Sequence, residues 1–241
     1  MSEGLKILAF GAHPADVFIS ACGTLLKHVE KGDEVTIVTL TYGERSHAKA
    51  MLKSGRKYSL REIRKIKETE FKNAAKELGA KKAVIMGLDE CPLEANKETL
   101  SAIMNLIEET RPDIILTSWI YDWLNPDHEI TGRIVTAACM YVNALAIDES
   151  YKATNIYYYI VNPLYLAPEL NFVPDVYVDI SSTIESKINI LSNFDSQGFT
   201  KRFLENYFRS VHFFVGQRCG VTYAEAFKRI WRPPKSCEYL L

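Results

Sequence analysis

The feature that most restricts this chain is an alternation repeated four times. A short, continuous apolar run is followed by a stretch whose apolar residues recur at helical spacing. "LKILAF" (residues 5–10) precedes Phe18, Cys22, Leu25, Leu26 and Val29, with Gly32 where a helix C-cap belongs. "EVTIVTLTYG" leads into a charged helical stretch over residues 58–78. "KAVIMGL" leads into "NKETLSAIMNLIEETRPD", which carries Leu100, Ile103, Met104 and Ile107 on one face and ends at Pro112. "DIILTSWI" passes through the loop "YDWLNPDH" into a helix with Ile130, Ile134, Ala138 and Leu145. Runs that are apolar at every position suit strands buried on both faces, and such strands belong to parallel sheets covered by helices. The pattern predicts an α/β fold with a mostly parallel sheet and right-handed crossovers. The last third departs from it. "NIYYYIVNPLYL" and "DVYVDI" read as strands without a helix between them, forming a hairpin or an edge extension. A helix over 182–193 and a mixed C-terminal segment complete an added β/α region. With no repeat, low-complexity tract or flexible linker, residues 1–241 are expected to form one domain.

In open parallel sheets, ligands bind beyond the C-terminal ends of the strands. His13 and Asp16 follow the first apolar run, and Glu44, Arg45 and His47 ("GERSH") follow the second. Asp89 follows the third, and Asn125, Asp127 and His128 ("NPDH") the fourth. Four loops therefore bring polar groups to one rim. An imidazole and a carboxylate three residues apart suit a divalent cation, since both bind zinc at about 2.0–2.2 Å. His128 is the candidate third ligand. At the start of a helix the positive dipole end favours neutral imidazole, the form that binds metal. Three protein ligands leave a position open for water or substrate. Taken singly, His13 and Asp16 read as a hydrogen-bonded loop pair, "NPDH" as a turn capped by Asp127, and Glu44 and His47 as solvated loop residues. Their convergence carries the metal reading. A nucleotide-binding fold without metal would place G-x-G-x-x-G after the first strand, where "FGAHPAD" stands instead.

Composition narrows the partners. A formal charge of −1 gives no footprint for nucleic acid. No apolar run approaches the roughly 18 residues that span a bilayer. "MSEGLKILAF" lacks the basic region and cleavage site of a signal peptide. The five cysteines form no CxxC pair and read as reduced thiols. These features predict a cytoplasmic protein acting on a small molecule, as a possible homo-oligomer.

The order "AHPAD", "GTL", "GDEVTIVTLTYGE", "AAKELGA", "GLDE", "RPDIILT", "NPDH", then a late "SQ" and "AEAF", resembles the LmbE-like, or PIG-L, deacetylase family over residues 5–230. The resemblance implies a Rossmann-like three-layer sandwich and a zinc-dependent N-deacetylase of amino sugars and related small molecules. By motif position, Zn2+ or another divalent metal would be bound by His13, Asp16 and His128. Several positions depart from the family pattern. The general base of AHPDD is Ala15 here, and the histidine that opens HPDH and stabilises the oxyanion is Asn125. An arginine of the pattern is Lys67, in Lys67-x-x-Glu70. His-x-Ser-Gln has become Phe194-Asp195-Ser196-Gln197. A methyl group accepts no proton, so a substitute base is expected among His47, Glu44 and Asp127. His47 has the unperturbed pKa best suited to the task. Arg45, Lys67 and Asp89 are expected to contact substrate. The 4-oxalomesaconate hydratases, which resemble this family, also read Ala-Asp at this point. Hydration of an unsaturated keto-acid is therefore the alternative, and a catalytically impaired metal-binding protein a further one.

Overall fold

The computed structural model describes residues 4–48, 51, 53, 55–145, 150–161 and 170–230. The four predicted alternations are present. β1 (Lys6–Gly11) is followed by α1 (Asp16–Lys31), β2 (Glu34–Thr41) by α2 (Leu60–Leu78), β3 (Lys82–Leu88) by α3 (Lys97–Thr110), and β4 (Ile114–Ser118) by α4 (Pro126–Leu145). Local chemistry sets the helix ends. Gly32 closes α1 at φ +95°, its N–H bonded to the carbonyls of His28 and Val29. Ser59 and Glu62 form a reciprocal capping box at the start of α2. Asn96 caps α3, and Pro126 occupies the first position of α4, where its missing N–H costs nothing.

The sheet order is β3-β2-β1-β4-β5-β7-β6, with β5 at Ile156–Tyr159, β6 at Val176–Asp179 and β7 at Ala224–Arg229. The first five strands are mutually parallel, with Ile7 opposite both Val35 and Ile114. β7 runs antiparallel between β5 and β6. "IYYY" and "VYVD" therefore form no hairpin with each other; they extend the edge, with the last strand inserted between them. The rest of the first predicted segment, 162–166, lies outside the described residues.

Side chains alternate across β1 and divide the core in two. Ile7 and Ala9 pack with α1, α2 and α5 (Ile184–Leu191). Leu8 and Phe10 pack with Ile103 and Ile107 of α3 and with Ile134, Val135 and Ala138 of α4. Burial of each isoleucine, leucine, valine or phenylalanine among them stabilises the fold by about 1.5–3 kcal/mol before entropy is counted. Leu145, placed by periodicity on the apolar face of α4, is instead exposed where that helix ends. Gly132 lets α4 touch the sheet: a Cβ there would lie 2.2 Å from the Ser118 carbonyl oxygen. After Leu191 come a 3-10 turn (Asp195–Gln197), α6 (Lys201–Phe203), a π-helical turn (Leu204–Phe208) and α7 (Arg209–Gln217). No helix among the described residues is long and apolar enough to cross a membrane.

Strand order reverses between β1 and β4. At such a switch point the adjacent crossovers go to opposite faces and leave a crevice at the carboxyl ends of the strands. His13 follows β1 and His128 follows β4.

Candidate metal centre

His13, Asp16 and His128 meet in that crevice, all three buried. Asp16 is the first residue of α1, and its Oδ2 accepts the His13 backbone N–H at 2.8 Å. The same oxygen lies 3.4 Å from His13 Nδ1 and 3.5 Å from His128 Nε2. Both nitrogens are buried and, among the described residues, lack a hydrogen-bond partner. All three donor atoms lie within 4.8 Å of one another, and the two imidazole centroids are 5.3 Å apart. Buried polar atoms normally find partners. Two orphaned imidazole nitrogens flanking one carboxylate oxygen are therefore a donor set suited to a cation.

The opposite edge of each ring meets another carboxylate. His128 Nδ1 is 2.9 Å from Asp122 Oδ2, and His13 Nε2 is 3.3 Å from Asp127 Oδ2 and 3.5 Å from Glu90 Oε2. Such partners fix the orientation and tautomer of metal-binding histidines. Asp122 and Glu90 were not singled out in the sequence; their only signal was an acidic residue within "YDWLNPDH" and "GLDE". Four buried carboxylates thus surround two imidazoles. Burial opposes protonation of His128, but Asp16 and Asp122 outweigh it and hold its pKa up at about 9. For His13 burial is likewise outweighed, chiefly by Asp16, and the pKa is raised. Burial would push Asp16 up, yet His128 and His13 hold it well below the usual carboxylate range. The helix start was expected to favour neutral His128, and the surrounding carboxylates reverse that. The centre demands positive charge. Asp122→Asn is predicted to lower zinc affinity about 10–100-fold, the usual cost of an outer partner, with the melting temperature little changed. Competition with a fluorescent chelator measures the affinity.

His47 stands against His13, ring centroids 4.1 Å apart. Its loop turns at Gly43 (φ +66°), where a Cβ would come within 3.2 Å of Pro14 Cδ. Glu90 Oε2 accepts from the Ser46 hydroxyl, which also meets His47 Nδ1. A carboxylate only accepts, so the single serine proton goes to Glu90. His47 Nδ1–H must then donate to Ser46, which leaves the lone pair on Nε2. Burial first, then the neighbouring His13, lowers the His47 pKa to about 2. The near-neutral value expected of it is therefore absent.

The other predicted residues divide. Glu44 is buried, and Arg64 grips its Oε1 at 2.6–2.8 Å. Lys67 is buried too and donates to the His47 carbonyl; burial lowers its pKa to about 8, so it supports the loop from behind. Arg45 and Asp89 are exposed and line a separate groove of about 620 Å³ beyond Glu90. Asp127 is not the cap of α4. Its Oδ1 accepts from the Leu93 N–H, and Asn125 Oδ1 accepts from the Asp127 N–H. Asp127 therefore sits behind His13, on the side away from Nδ1. Glu70 binds both the N–H and the hydroxyl of Ser196, which places Gln197 beside the centre.

Residues 8–139 match the family described as PIG-L: GlcNAc-PI de-N-acetylase. This chain belongs to the PIG-L family. Diacetylchitobiose deacetylase of Thermococcus kodakarensis is 26% identical over 238 residues, covering 92% of this chain and 82% of that protein. The 4-oxalmesaconate hydratase of Pseudomonas putida is 25% identical over 185 residues, 75% and 69% of the two chains. In structure, the PIG-L chain is similar to the 4-carboxy-2-hydroxymuconate hydratase of P. putida, with a TM-score of 0.83 at 21% identity over 98% of this chain and 100% of that one. It is also similar to the N,N'-diacetylchitobiose deacetylase of Pyrococcus horikoshii, with a TM-score of 0.78 at 22% identity over 93% and 83%. At these identities the structural likeness establishes the fold. PIG-L relatives thus include deacetylases of amino-sugar compounds and a hydratase.

Proposed function

We propose that this PIG-L chain is a divalent-metal-dependent hydrolase that removes an acyl group from an amine on a small polar molecule, such as an amino-sugar derivative. The observation that carries this reading is the pair of orphaned nitrogens, His13 Nδ1 and His128 Nε2, flanking one Asp16 oxygen. His13, Asp16 and His128 would hold the ion. When bound, a zinc ion supplies polarisation of the acyl carbonyl and a water of lowered pKa. His47 lines the cavity beside Asp16 and His128 and presents Nε2 as a proton acceptor, with Ser46 and Glu90 fixing its tautomer. A weakly basic imidazole stays neutral at working pH but accelerates proton transfer at the low end of the about 10²–10⁴-fold that general bases give. The Gln197 amide Nε2, buried at the same cavity and without a partner among the described residues, would donate to a substrate oxygen. Asn125 retains an amide donor for the oxyanion but cannot shuttle a proton. Arg45 and Asp89 would contact only a substrate long enough to reach the separate groove beyond Glu90.

Elemental analysis of the purified protein is expected to give about one zinc or equivalent ion per chain, and chelation is expected to abolish release of acetate from N-acetylated amino sugars. His47→Ala is expected to lower kcat about 10²-fold with metal content unchanged. A chain that stays metal-free in excess zinc at neutral pH rules this reading out.

One observation favours hydration of an unsaturated keto-acid instead: Ala15, buried in the core cluster, where the family's base belongs. Assay of an unsaturated keto-diacid beside the amide separates the two. Ala15→Asp is expected to raise amide hydrolysis at least about 10-fold; an unchanged rate in a folded variant favours hydration.

A further inference from the structure

Above Asp16, His47 and His128 the crevice widens into a cavity of about 380 Å³ whose other wall is apolar: Ile19, Val161, Phe199, Phe203, Tyr207 and Phe208. Tyr207 and Phe208 belong to the π-helical turn Leu204–Phe208 and Phe199 and Phe203 precede it, and single π turns inside helices recur at functional sites. Phe208 anchors the wall: it is 2% exposed, in the main core cluster, and 5.9 Å from the Phe199 ring centroid. Phe203 and Tyr207 stack at 5.0 Å and 14°, yet they remain 40% and 38% exposed. Two stacked rings left uncovered at the mouth of a buried polar centre form a surface that a ligand completes. Charge narrows the ligand. Among the described residues lining this cavity none is lysine or arginine, and Asp16 is a carboxylate. Asp16 and His128 would be taken up by the ion, and beyond it this wall offers a polyanion no guanidinium or ammonium to pair with. Arg45 serves the other groove.

We infer that this wall is a subsite for an apolar group, an aryl ring or short alkyl chain, carried by the substrate next to the bond that is cleaved. The inference rests on the hydrolase reading and narrows it. The substrate is an acylated amine with an apolar substituent on its acyl or aglycone side, seated against Phe203 and Tyr207 while its carbonyl faces His13, Asp16 and His128. In an apolar pocket even one methylene is worth about 10–200-fold in discrimination, so a ring on this wall should be read easily in affinity.

Calorimetric titration of the zinc-loaded protein with three chelating probes tests the assignment: acetohydroxamate, phenylacetohydroxamate and the monohydroxamate of succinate. Phenylacetohydroxamate is expected to bind at least about 10-fold tighter than acetohydroxamate. Phe203→Ala and Tyr207→Ala should each remove most of that advantage and leave acetohydroxamate unchanged. Equal affinities, or tightest binding by the carboxylate probe, overturn the subsite. So does a lower oligomeric mass in either variant with the preference intact, because the wall is then a contact between copies of the chain. If the protein takes up no zinc, the hydrolase reading fails separately. The subsite is then read in the metal-free protein by saturation-transfer NMR with N-benzylacetamide and N-methylacetamide. Benzyl-selective transfer lost in Phe203→Ala supports it, and indifference to the ring overturns it.

Discussion

His128→Ala is expected to weaken zinc binding by more than about 100-fold, beyond the usual loss when an outer partner is removed, and His13→Ala to do the same. Each variant deletes one of the two unpartnered nitrogens and leaves Asp16 with a single imidazole. The fold should survive. His13 lies in the loop after β1 and His128 in the first turn of α4, and neither belongs to the two apolar clusters that support the sheet. Circular dichroism should therefore be retained while chelator competition reports the lost affinity. Wild-type affinity in His128→Ala would remove that residue from the metal set and redirect attention to His13, His47 and Glu90, whose ligand atoms also cluster. That second group is the weaker candidate because Glu90 already accepts from the Arg45 and Ser46 backbones and the Ser46 hydroxyl.

The largest effect on stability is expected outside the metal centre. Lys187 and Glu225 form an ion pair at 2.7 Å with both side chains fully buried. The pair reaches into the middle of α1: Lys187 Nζ donates to the Ile19 carbonyl at 2.6 Å, and Glu225 accepts from the N–H groups of Gly23 and Thr24. Removing one partner strands the other charge in a low-dielectric interior, at a cost of about 3–5 kcal/mol. Lys187→Met should therefore lower the urea midpoint sharply. The double variant Lys187→Met/Glu225→Gln should lose less than the sum of the single changes, since each single change includes the penalty of the abandoned charge. Additive losses would mean that the two side chains act independently.

The parallel half of the fold was legible because its signals are local. "LKILAF" needs two covered faces, and Gly32 ends α1 where a left-handed residue must stand. The last strand, inserted between the two predicted edge strands, was not legible. "AEAFKR" carries Glu225 as its second residue, and a charged residue in a short run reads as exposed until Lys187, 38 residues earlier in the chain, is known to face it. The helix around 201–217 was hidden for a related reason: its aromatic residues follow a π turn rather than a 3.6-residue repeat. At the centre, residue types and the strand-end rule brought His13, Asp16 and His128 to one rim. Asp122 and Glu90 escaped because nothing local separates an acidic residue that orients a histidine from one that solvates a loop. For the candidate bases, residue type was legible and environment was not. Burial and then His13 lower the pKa of His47, and Arg64 holds one oxygen of Glu44.

Asp127 divides its two oxygens between His13 and the backbone of Leu93, in the segment that also carries Asp89, Glu90 and Glu94 of the outer groove. The aim of a metal-site histidine and the course of a surface loop are thereby tied to one carboxylate. Substitutions that reshape the groove for a longer substrate would tug on His13 and carry a penalty in metal retention. Specificity on the Arg45 side therefore cannot drift freely, whereas the aromatic wall across the crevice, with no such tie to His13 among the described residues, can. Over evolutionary time, new substrates should be accommodated first at Phe199, Phe203 and Tyr207.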